Sequence, residues 1–311
     1  MNWLNPYEAD LIDVFTEAEN RVGAFPAPFN EIGIEYLHRF HPFREGSSKN
    51  YICYLLPFWL KHIALERDEA CKRMALSNIF VMLHFFIQDD LMDEPPAKWK
   101  TQLALDHLIQ LQYMELYRPL FPAESSFWTY FGQYVTEWAT SVSDENERDA
   151  FFIQPTQIAH KASPVKLAST GLLLLSGREE LVPEMSGLID QVLITLQMAD
   201  DRADWREDLQ SGSANSLLSF IRQERRMNSA SGLTVQEVES SIHVRGCLRR
   251  YAQIAEQRHE RLRTSGTQAM QLIAFHDYLT QSLLSEAVRI ERDKNRLLQG
   301  GFSYWLSKNG K

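Results

Sequence analysis

The chain has 311 residues, of which 44% are hydrophobic and 23% are charged, an ordinary composition for a globular core. Its formal net charge of −9 argues against a nucleic-acid-binding surface, which needs a basic stripe. Cys53, Cys71 and Cys247 are scattered and lack metal-ligand spacing, so we expect reduced thiols in a soluble cytoplasmic protein. The first ten residues carry no basic n-region, and no apolar run approaches the roughly 18 residues of a membrane span.

Helical spacing of apolar residues continues along the whole chain, without β-type alternation or an internal repeat. The spacing predicts helices over residues 6–18, 31–38, 51–65, 66–93, 98–117, 124–142, 144–154, 183–208, 213–225, 235–263 and 267–298. We therefore expect an all-α fold, a single domain over residues 1–311 built as a bundle of about ten to twelve helices.

The segment before Pro95 and Pro96 combines a long apolar run with three aspartates, Asp89, Asp90 and Asp93. At about 100° per residue the three carboxylates share one side of a helix, with Phe85 and Phe86 on that side one turn earlier. Carboxylates this close raise one another's pKa unless cations lie between them. Mg²⁺ suits such oxygen ligands, so the segment predicts a magnesium site. The alternative is an acidic helix end left in water.

A second acidic face argues against that alternative. Its members fall within about 120° of one helical wheel, and they are Gln197, Asp200, Asp201, Asp204, Glu207 and Asp208. A solvated acidic helix would gain from pairing opposite charges four residues apart, yet here Arg202 and Arg206 fall on the far side. Two acidic faces on two helices predict a metal cluster held between them.

Three segments of the sequence resemble motifs of a known protein family. The segment DDLMD at 89–93 resembles the first aspartate-rich motif of class I isoprenoid synthases, the trans-prenyltransferases and terpene cyclases. The segment QMADD at 197–201 is similar to the second motif of the prenyltransferases. Asp200, Asp204 and Asp208 also have the four-residue spacing of the cyclases' second metal triad. The segment HKASPVK at 160–166 resembles the prenyltransferase lysine segment that contacts diphosphate. The likeness covers roughly residues 50–215.

The resemblance implies a helical bundle around a central apolar cavity that binds a prenyl diphosphate through two or three Mg²⁺ ions, with Mn²⁺ as a substitute. The implied metal ligands are Asp89, Asp90, Asp93, Asp200, Asp204 and Asp208. The expected substrate-binding residues are Lys49, Trp59, Lys161, Lys166, Arg178 and Gln197. Lys161 would stabilise the departing diphosphate, and the faces of Phe85 and Phe86 would stabilise the allylic cation. A homodimer is a further expectation from the family.

The sequence departs from the prenyltransferases at two places. Residues 47–52 keep Lys49 of a Gly-Gly-Lys-x-x-Arg segment, but neither the glycines nor the arginine, and Lys98 and Lys100 stand where an Arg-Arg pair is typical. Because the lost elements serve a second diphosphate, we expect a terpene synthase that cyclises its substrate. The alternative is a trans-prenyltransferase that couples an allylic diphosphate to isopentenyl diphosphate or another acceptor.

Two alternatives of other classes stay open. The pairs Glu35–His38 and Glu256–His259 are both Glu-x-x-His, the repeated ligand motif of di-iron helical bundles, which would make the chain an oxidoreductase. The second pair lies in a highly charged run typical of a solvated face, and the first precedes a loop by a few residues. A catalytically silent protein would bind prenyl diphosphates with Mg²⁺ and release no pyrophosphate.

Overall fold

The structure, a computed structural model, describes residues 5–65, 68–93, 96–143, 150–227 and 232–309. Within these ranges the chain is helical and contains no strand, which confirms the predicted all-α class. The fourteen α-helices of these ranges are α1 (Glu8–Gly23), α2 (Phe29–His38), α3 (Tyr51–Ala64), α4 (Asp68–Asp93), α5 (Trp99–Tyr117), α6 (Phe127–Ser143), α7 (Ala150–Ile153), α8 (Pro155–His160), α9 (Lys166–Leu175), α10 (Val182–Ser211), α11 (Ser216–Glu224), α12 (Val235–His243), α13 (Cys247–Thr264) and α14 (Met270–Asn309). Most of the helix predicted over 144–154 lies outside the described residues.

The chain forms two compact units. The first consists of Met1–Trp138 and Ala162–Gly187, and the second consists of Ala139–Lys161 and Leu188–Lys311. Because the boundaries fall inside α6 and α10, these two helices contribute residues to both units. The single domain over 1–311 stays a prediction.

Helix α4 is the core helix of the first unit. It is buried without interruption from Met74 to Phe85, and α1, α3, α5 and α9 pack around it. By length and composition α4 is apolar enough to cross a membrane, contrary to the expectation that no segment would be. However, 72% of its most apolar window is buried inside the protein, as expected of a helix that is apolar on all sides. Burial in the core therefore accounts for its hydropathy.

A proline inside α3 ties this helix to α4. Pro57 has no backbone N–H, so it cannot donate to the carbonyl of Cys53 four residues earlier. The Asn78 side chain on α4 supplies the missing donor, with Nδ2 at 2.5 Å from the Cys53 carbonyl oxygen. Asn78 is buried, and the bond satisfies an acceptor that the helix itself leaves without its usual partner.

The helix predicted over 235–263 is divided into α12 and α13. Thr234 opens α12 with a capping box, in which its side chain accepts from the Glu237 backbone N–H and the Glu237 carboxylate accepts from the Thr234 N–H. α12 ends at His243, and Gly246, with φ of 67°, redirects the chain into α13. Glycine adopts this left-handed conformation without a steric penalty, so one residue interrupts an otherwise continuous helical pattern.

His276 of α14 is a fully buried histidine in the second unit. Its Nε2 lies 2.8 Å from Thr195 Oγ1 on α10, and its Nδ1 lies 3.1 Å from Nδ1 of His259 on α13. Burial lowers the pKa of His276 to about 3, and positive charge on His259 and Arg258 adds to the effect. The imidazole is therefore neutral in the folded protein at neutral pH.

We expect the folded protein to lose stability through His276 as the pH falls. The unfolded chain binds a proton near a pKa of about 6.5, whereas the folded protein does so only near about 3. Lowering the pH between these values therefore favours unfolding by up to about 1.4 kcal/mol per pH unit. In urea titrations between pH 6.5 and pH 4, roughly, His276→Gln should flatten the pH dependence of the unfolding free energy. His107→Gln, at an exposed side chain, is the control, and equal curves for wild type and His276→Gln would contradict the prediction.

Candidate functional site

Helix α4 ends in three carboxylates, Asp89, Asp90 and Asp93, without a basic residue in its last turn. The C-terminal end of a helix carries partial negative charge, so acidic side chains are unfavourable there and cations are favourable. Asp89 and Asp93 are exposed, and Asp90 is partly buried. Helix stability does not explain this arrangement, which becomes favourable when cations approach the end of α4.

Asp90 is held by two residues from the region of α2. The Tyr36 hydroxyl donates to Asp90 Oδ2 at 3.0 Å, and Arg39 Nη1 donates to the same oxygen at 3.3 Å. Arg39 also lies over the Tyr36 ring, 4.8 Å from its centroid. Burial and the negative charge of Asp90 raise the pKa of Tyr36, so its hydroxyl keeps its proton. The sequence analysis missed both partners, since nothing in the spacing connects them with Asp90.

Phe85 and Phe86, the predicted cation-stabilising aromatics, pack against different partners in the first unit. Phe85 is 8% exposed, and its ring centroid lies 4.8 Å from those of His84 and Trp138. Phe86 is less buried and contacts Phe40 at a centroid distance of 5.0 Å. Their shared contact with a substrate cavity stays a prediction.

A buried aspartate, Asp106 of α5, fixes the polar neighbours of this aromatic segment. His84 Nδ1 lies 2.6 Å from Asp106 Oδ1, and Gln88 donates to the other carboxylate oxygen. The sequence analysis missed Asp106, because a single acid inside an amphipathic helix gives no sign of being buried. Trp59 on α3, predicted to contact substrate, is 1% exposed and belongs to the core of the first unit.

Asp200, Asp204 and Asp208 occupy successive turns of α10 in the second unit. The Asp200 side chain reaches solvent, yet surrounding protein atoms partly desolvate it. This desolvation, followed by the negative charges of Asp204, Asp201 and Asp208, raises the pKa of Asp200 to about 6. The ammonium group of Lys161 acts in the opposite direction on the pKa of Asp200. The structure therefore brings the predicted second acidic cluster and Lys161 into one electrostatic group.

Asp201 belongs to the framework of this cluster. It is 5% exposed, and its carboxylate accepts hydrogen bonds from Gln197 Nε2 at 2.8 Å, from the Ser216 N–H at 2.7 Å and from the Ser216 hydroxyl. The Tyr251 hydroxyl lies 2.6 Å from Ser216 Oγ and 3.1 Å from the Met198 carbonyl oxygen. These bonds link α10, α11 and α13. They also engage the amide of Gln197, which was predicted to bind substrate.

Asn215 is a second link between α10 and α11. Its Nδ2 donates to Asp208 Oδ2 at 2.7 Å and to the Asp201 carbonyl oxygen at 2.6 Å. Its Oδ1 accepts from the Leu217 and Leu218 N–H groups, so the same side chain caps α11. The sequence analysis missed Asn215, although asparagine just before an apolar helix is a capping signal. The orientation of Asp208 depends on this cap.

Two further cations predicted to bind substrate have backbone partners in the first unit. Lys49 Nζ donates to the carbonyl oxygens of Arg44 at 2.7 Å and His41 at 3.3 Å, which closes the loop between α2 and α3. Arg178 Nη1 donates to the carbonyl oxygen of Ile63 at the end of α3. Both charges therefore serve local structure, and their contact with substrate stays a prediction.

Lys166, also predicted to bind substrate, is 1% exposed and forms an ion pair with Glu137. Its Nζ lies 2.8 Å from Glu137 Oε2 and 4.7 Å from the centroid of the Tyr134 ring. Burial raises the pKa of Glu137, but hydrogen bonds from Lys166, Ser163 and Gln133 outweigh it and hold that pKa below its ordinary value. Lys166 is thus part of a buried polar network.

The carboxylates near the ends of α4 and α10 are of the chemical kind that binds Mg²⁺. Across the described ranges, no three or more His, Cys, Asp or Glu side chains already form a group that could hold a metal ion. A magnesium site commonly uses one or two carboxylates together with waters and substrate phosphates, so such a group is not required in the protein alone. Burial, followed by the negative charge of neighbouring aspartates, raises the pKa of Asp200, and a bound cation would favour its ionised form.

The two Glu-x-x-His pairs have other partners. His38 Nε2 lies 2.8 Å from Glu19 Oε1, and the His259 ring stacks on His276 with centroids 5.3 Å apart. Neither pair belongs to a group of three or more metal ligands among the residues that the structure describes. The di-iron alternative therefore receives no support from the geometry within either unit.

Comparison with models of protein families and with curated protein sequences found no match. Among solved structures, the chain is similar to a geranylgeranyl pyrophosphate synthase from Lactobacillus brevis ATCC 367, with a TM-score of 0.62 and 15% sequence identity. The similarity covers 90% of this chain and 96% of that one. The chain has the all-α isoprenoid synthase fold. This finding confirms the fold that the aspartate motifs led us to expect.

The crowding of carboxylates on α10 predicts that Asp200→Asn stabilises the metal-free protein. The folded state raises the pKa of Asp200 above the ordinary aspartate value, so the ionised form opposes folding above pH 6 and the effect disappears below the unfolded-state pKa of about 4. In EDTA at pH 7.5, roughly, we expect the melting temperature to rise by about 1–3 °C. Glu184→Gln, at an exposed position of α10, is the control, and an unchanged or lower melting temperature of Asp200→Asn in EDTA would contradict the prediction.

The buried ion pair predicts a structural role for Lys166. Glu137→Gln leaves a buried ammonium without its counter-charge and should lower the unfolding free energy by about 3 kcal/mol in urea titrations. The double variant Glu137→Gln/Lys166→Met removes both charges, so we expect it to recover much of this loss. A double variant no more stable than Glu137→Gln would contradict this structural role.

Proposed function

We propose that this chain is an Mg²⁺-dependent enzyme that ionises an allylic prenyl diphosphate and transfers the prenyl group to an acceptor. The observation that carries the proposal is a pair of acidic clusters, at the end of α4 and near the end of α10, on an isoprenoid synthase fold. Each cluster is electrostatically unfavourable without bound cations. Binding of Mg²⁺ together with a diphosphate would account for both clusters.

The proposed metal ligands lie on the two helices. They are Asp89, Asp90 and Asp93 on α4, and Asp200, Asp204 and Asp208 on α10. Bound Mg²⁺ would neutralise the diphosphate and stabilise it as a leaving group. Asp90 also accepts hydrogen bonds from Tyr36 and Arg39, so as a metal ligand it would share its carboxylate with these two residues.

Other residues of the chain are proposed to act on the two ends of the substrate. Lys161, whose charge already acts on the Asp200 group, is proposed to donate to the diphosphate. Phe85, Phe86 and Trp59 are proposed to stabilise the allylic cation and to keep water from it. Four further side chains are proposed to contact the substrate, namely Lys49, Lys166, Arg178 and Gln197. Each would have to give up its hydrogen bond to a protein partner in order to do so.

Transfer is favoured over the cyclisation that the sequence analysis preferred. The similar structure is described as a geranylgeranyl pyrophosphate synthase, which supports the prenyltransferase alternative better than the cyclase. In the transfer, the C–O bond breaks and its electron pair leaves with the diphosphate. The double bond of the acceptor then forms the new C–C bond, and a proton is lost from the product cation.

Cyclisation is kept as a second candidate because of the Lys49 loop. The Lys49 ammonium group is bound by the carbonyl oxygens of Arg44 and His41, and the glycines and arginine of the prenyltransferase segment are missing. A second diphosphate would therefore need other contacts. The double bonds of the prenyl substrate itself would then capture the cation. The homodimer also remains a proposal.

Product analysis with defined substrates tests the proposal. Geranyl, farnesyl and geranylgeranyl diphosphates are each incubated with Mg²⁺, with and without isopentenyl diphosphate, and pyrophosphate and extracted products are measured. We expect a longer prenyl diphosphate that forms only when isopentenyl diphosphate is present. A hydrocarbon or alcohol from one substrate alone would establish the cyclase, and no pyrophosphate release with any combination would overturn both.

Matched variants connect that activity with the acidic clusters. Asp89→Asn and Asp204→Asn should each lower pyrophosphate release by at least about a hundredfold, because they remove a charged metal ligand. Excess Mg²⁺ should recover part of the loss. Glu184→Gln changes an exposed acid of α10 outside the cluster and should leave the rate unchanged. Equal rates in all three variants would show that the activity does not depend on the acidic clusters.

A further inference from the structure

The second unit contains a cavity of about 270 Å³ at the start of α13, and residues of α12 and α14 complete its wall. We name it the α13 pocket. Four basic side chains line it, Arg245, Arg249, Arg250 and Lys294, against one lining carboxylate, Glu291. The lining is therefore locally basic, although the formal net charge of the chain is −9.

Within the part of the chain that the structure describes, Arg250 is the one basic residue of the pocket that forms an ion pair with a carboxylate. Arg250 pairs with Glu224, with Nη2 at 2.7 Å from Oε2. Lys294 donates to the Val244 carbonyl oxygen, which carries no formal charge. Within the described ranges, Arg245 and Arg249 have no carboxylate oxygen within 4.0 Å of their guanidinium nitrogens. Three uncompensated cations thus face the single carboxylate of the lining.

The backbone adds to this positive field. α13 begins after Gly246, which has no side chain to accept hydrogen bonds from the first turn of the helix. Such a turn carries partial positive charge, so it favours an anion at the start of α13. Guanidinium groups bind phosphate oxygens with two parallel hydrogen bonds, which makes Arg245 and Arg249 suitable ligands.

We propose that the α13 pocket binds a diphosphate group, with Arg245, Arg249 and Lys294 as its ligands. Three cations against the single lining carboxylate Glu291 give the pocket a net positive charge, which favours a multiply charged anion such as a diphosphate over a single carboxylate. The cavity lies just below the usual size of small-molecule pockets, about 300–1,000 Å³, so the ligand is small. Ile242 and Ile290 add apolar side chains to the wall. This site uses no metal ion and does not depend on the proposed function.

Calorimetric titration of the full chain with inorganic pyrophosphate, in EDTA and at low salt, tests the proposal. EDTA removes the metal on which binding at the acidic clusters would depend. We expect saturable binding, weakened about tenfold by Arg245→Gln and about tenfold by Arg249→Gln. Arg261→Gln, an exposed arginine on α13 outside the pocket, is the matched control and should bind as wild type does. Unchanged melting temperatures would show that all three variants fold.

Comparison of three ligands shows which part of the ligand the α13 pocket recognises. Equal affinities for pyrophosphate and isopentenyl diphosphate would support recognition of the diphosphate group alone, and tighter binding of the latter would support an additional contact with Ile242 and Ile290. Inorganic phosphate that binds as tightly as pyrophosphate would overturn the assignment to a diphosphate. No saturable binding, or equal weakening by Arg261→Gln and by the pocket variants, would overturn the site itself.

Discussion

Carboxylates on successive turns of α10 repel one another, and a helix without support would relieve this repulsion by fraying or by turning its side chains into water. The second unit opposes both responses. Asn215 binds Asp208 while capping α11, and Asp201 is held by Ser216 and Gln197. The positive charge of Lys161 compensates only part of the repulsion at Asp200. Neighbouring helices thus hold acidic groups in an arrangement that the isolated sequence would avoid.

At the end of α4, too, neighbouring residues hold a carboxylate of a crowded acidic cluster. Three carboxylates stand at the helix end where the backbone already carries partial negative charge. Tyr36 and Arg39 hold one of them, Asp90, and leave Asp89 and Asp93 exposed. Protein donors hold Asp90 in the first unit and both Asp201 and Asp208 in the second, beside other acids that are exposed to solvent. These donors fix the geometry of each acidic cluster.

The sequence predicted most of the helices, because their periodicity lies within a single segment. It did not predict Tyr36 or Asn215 as partners of the aspartates, since those contacts join different helices. Lys166 shows the same limit. Its position in a lysine motif predicted a substrate contact, but the structure buries it beside Glu137 of α6. Gly246 was missed for another reason, because one left-handed residue ends a helix without changing the apolar spacing around it.

The bond between Asn78 and the Cys53 carbonyl has a consequence for sequence variation. Pro57 creates the need for that bond by removing the helix's own donor, and Asn78 meets it from α4. Where position 57 carries another residue, the helix supplies its own N–H and a buried asparagine at 78 becomes a polar group to satisfy elsewhere. Where asparagine is lost first, the carbonyl beside the proline is left without a donor. Positions 57 and 78 are therefore expected to change together among homologous chains, although 21 residues separate them.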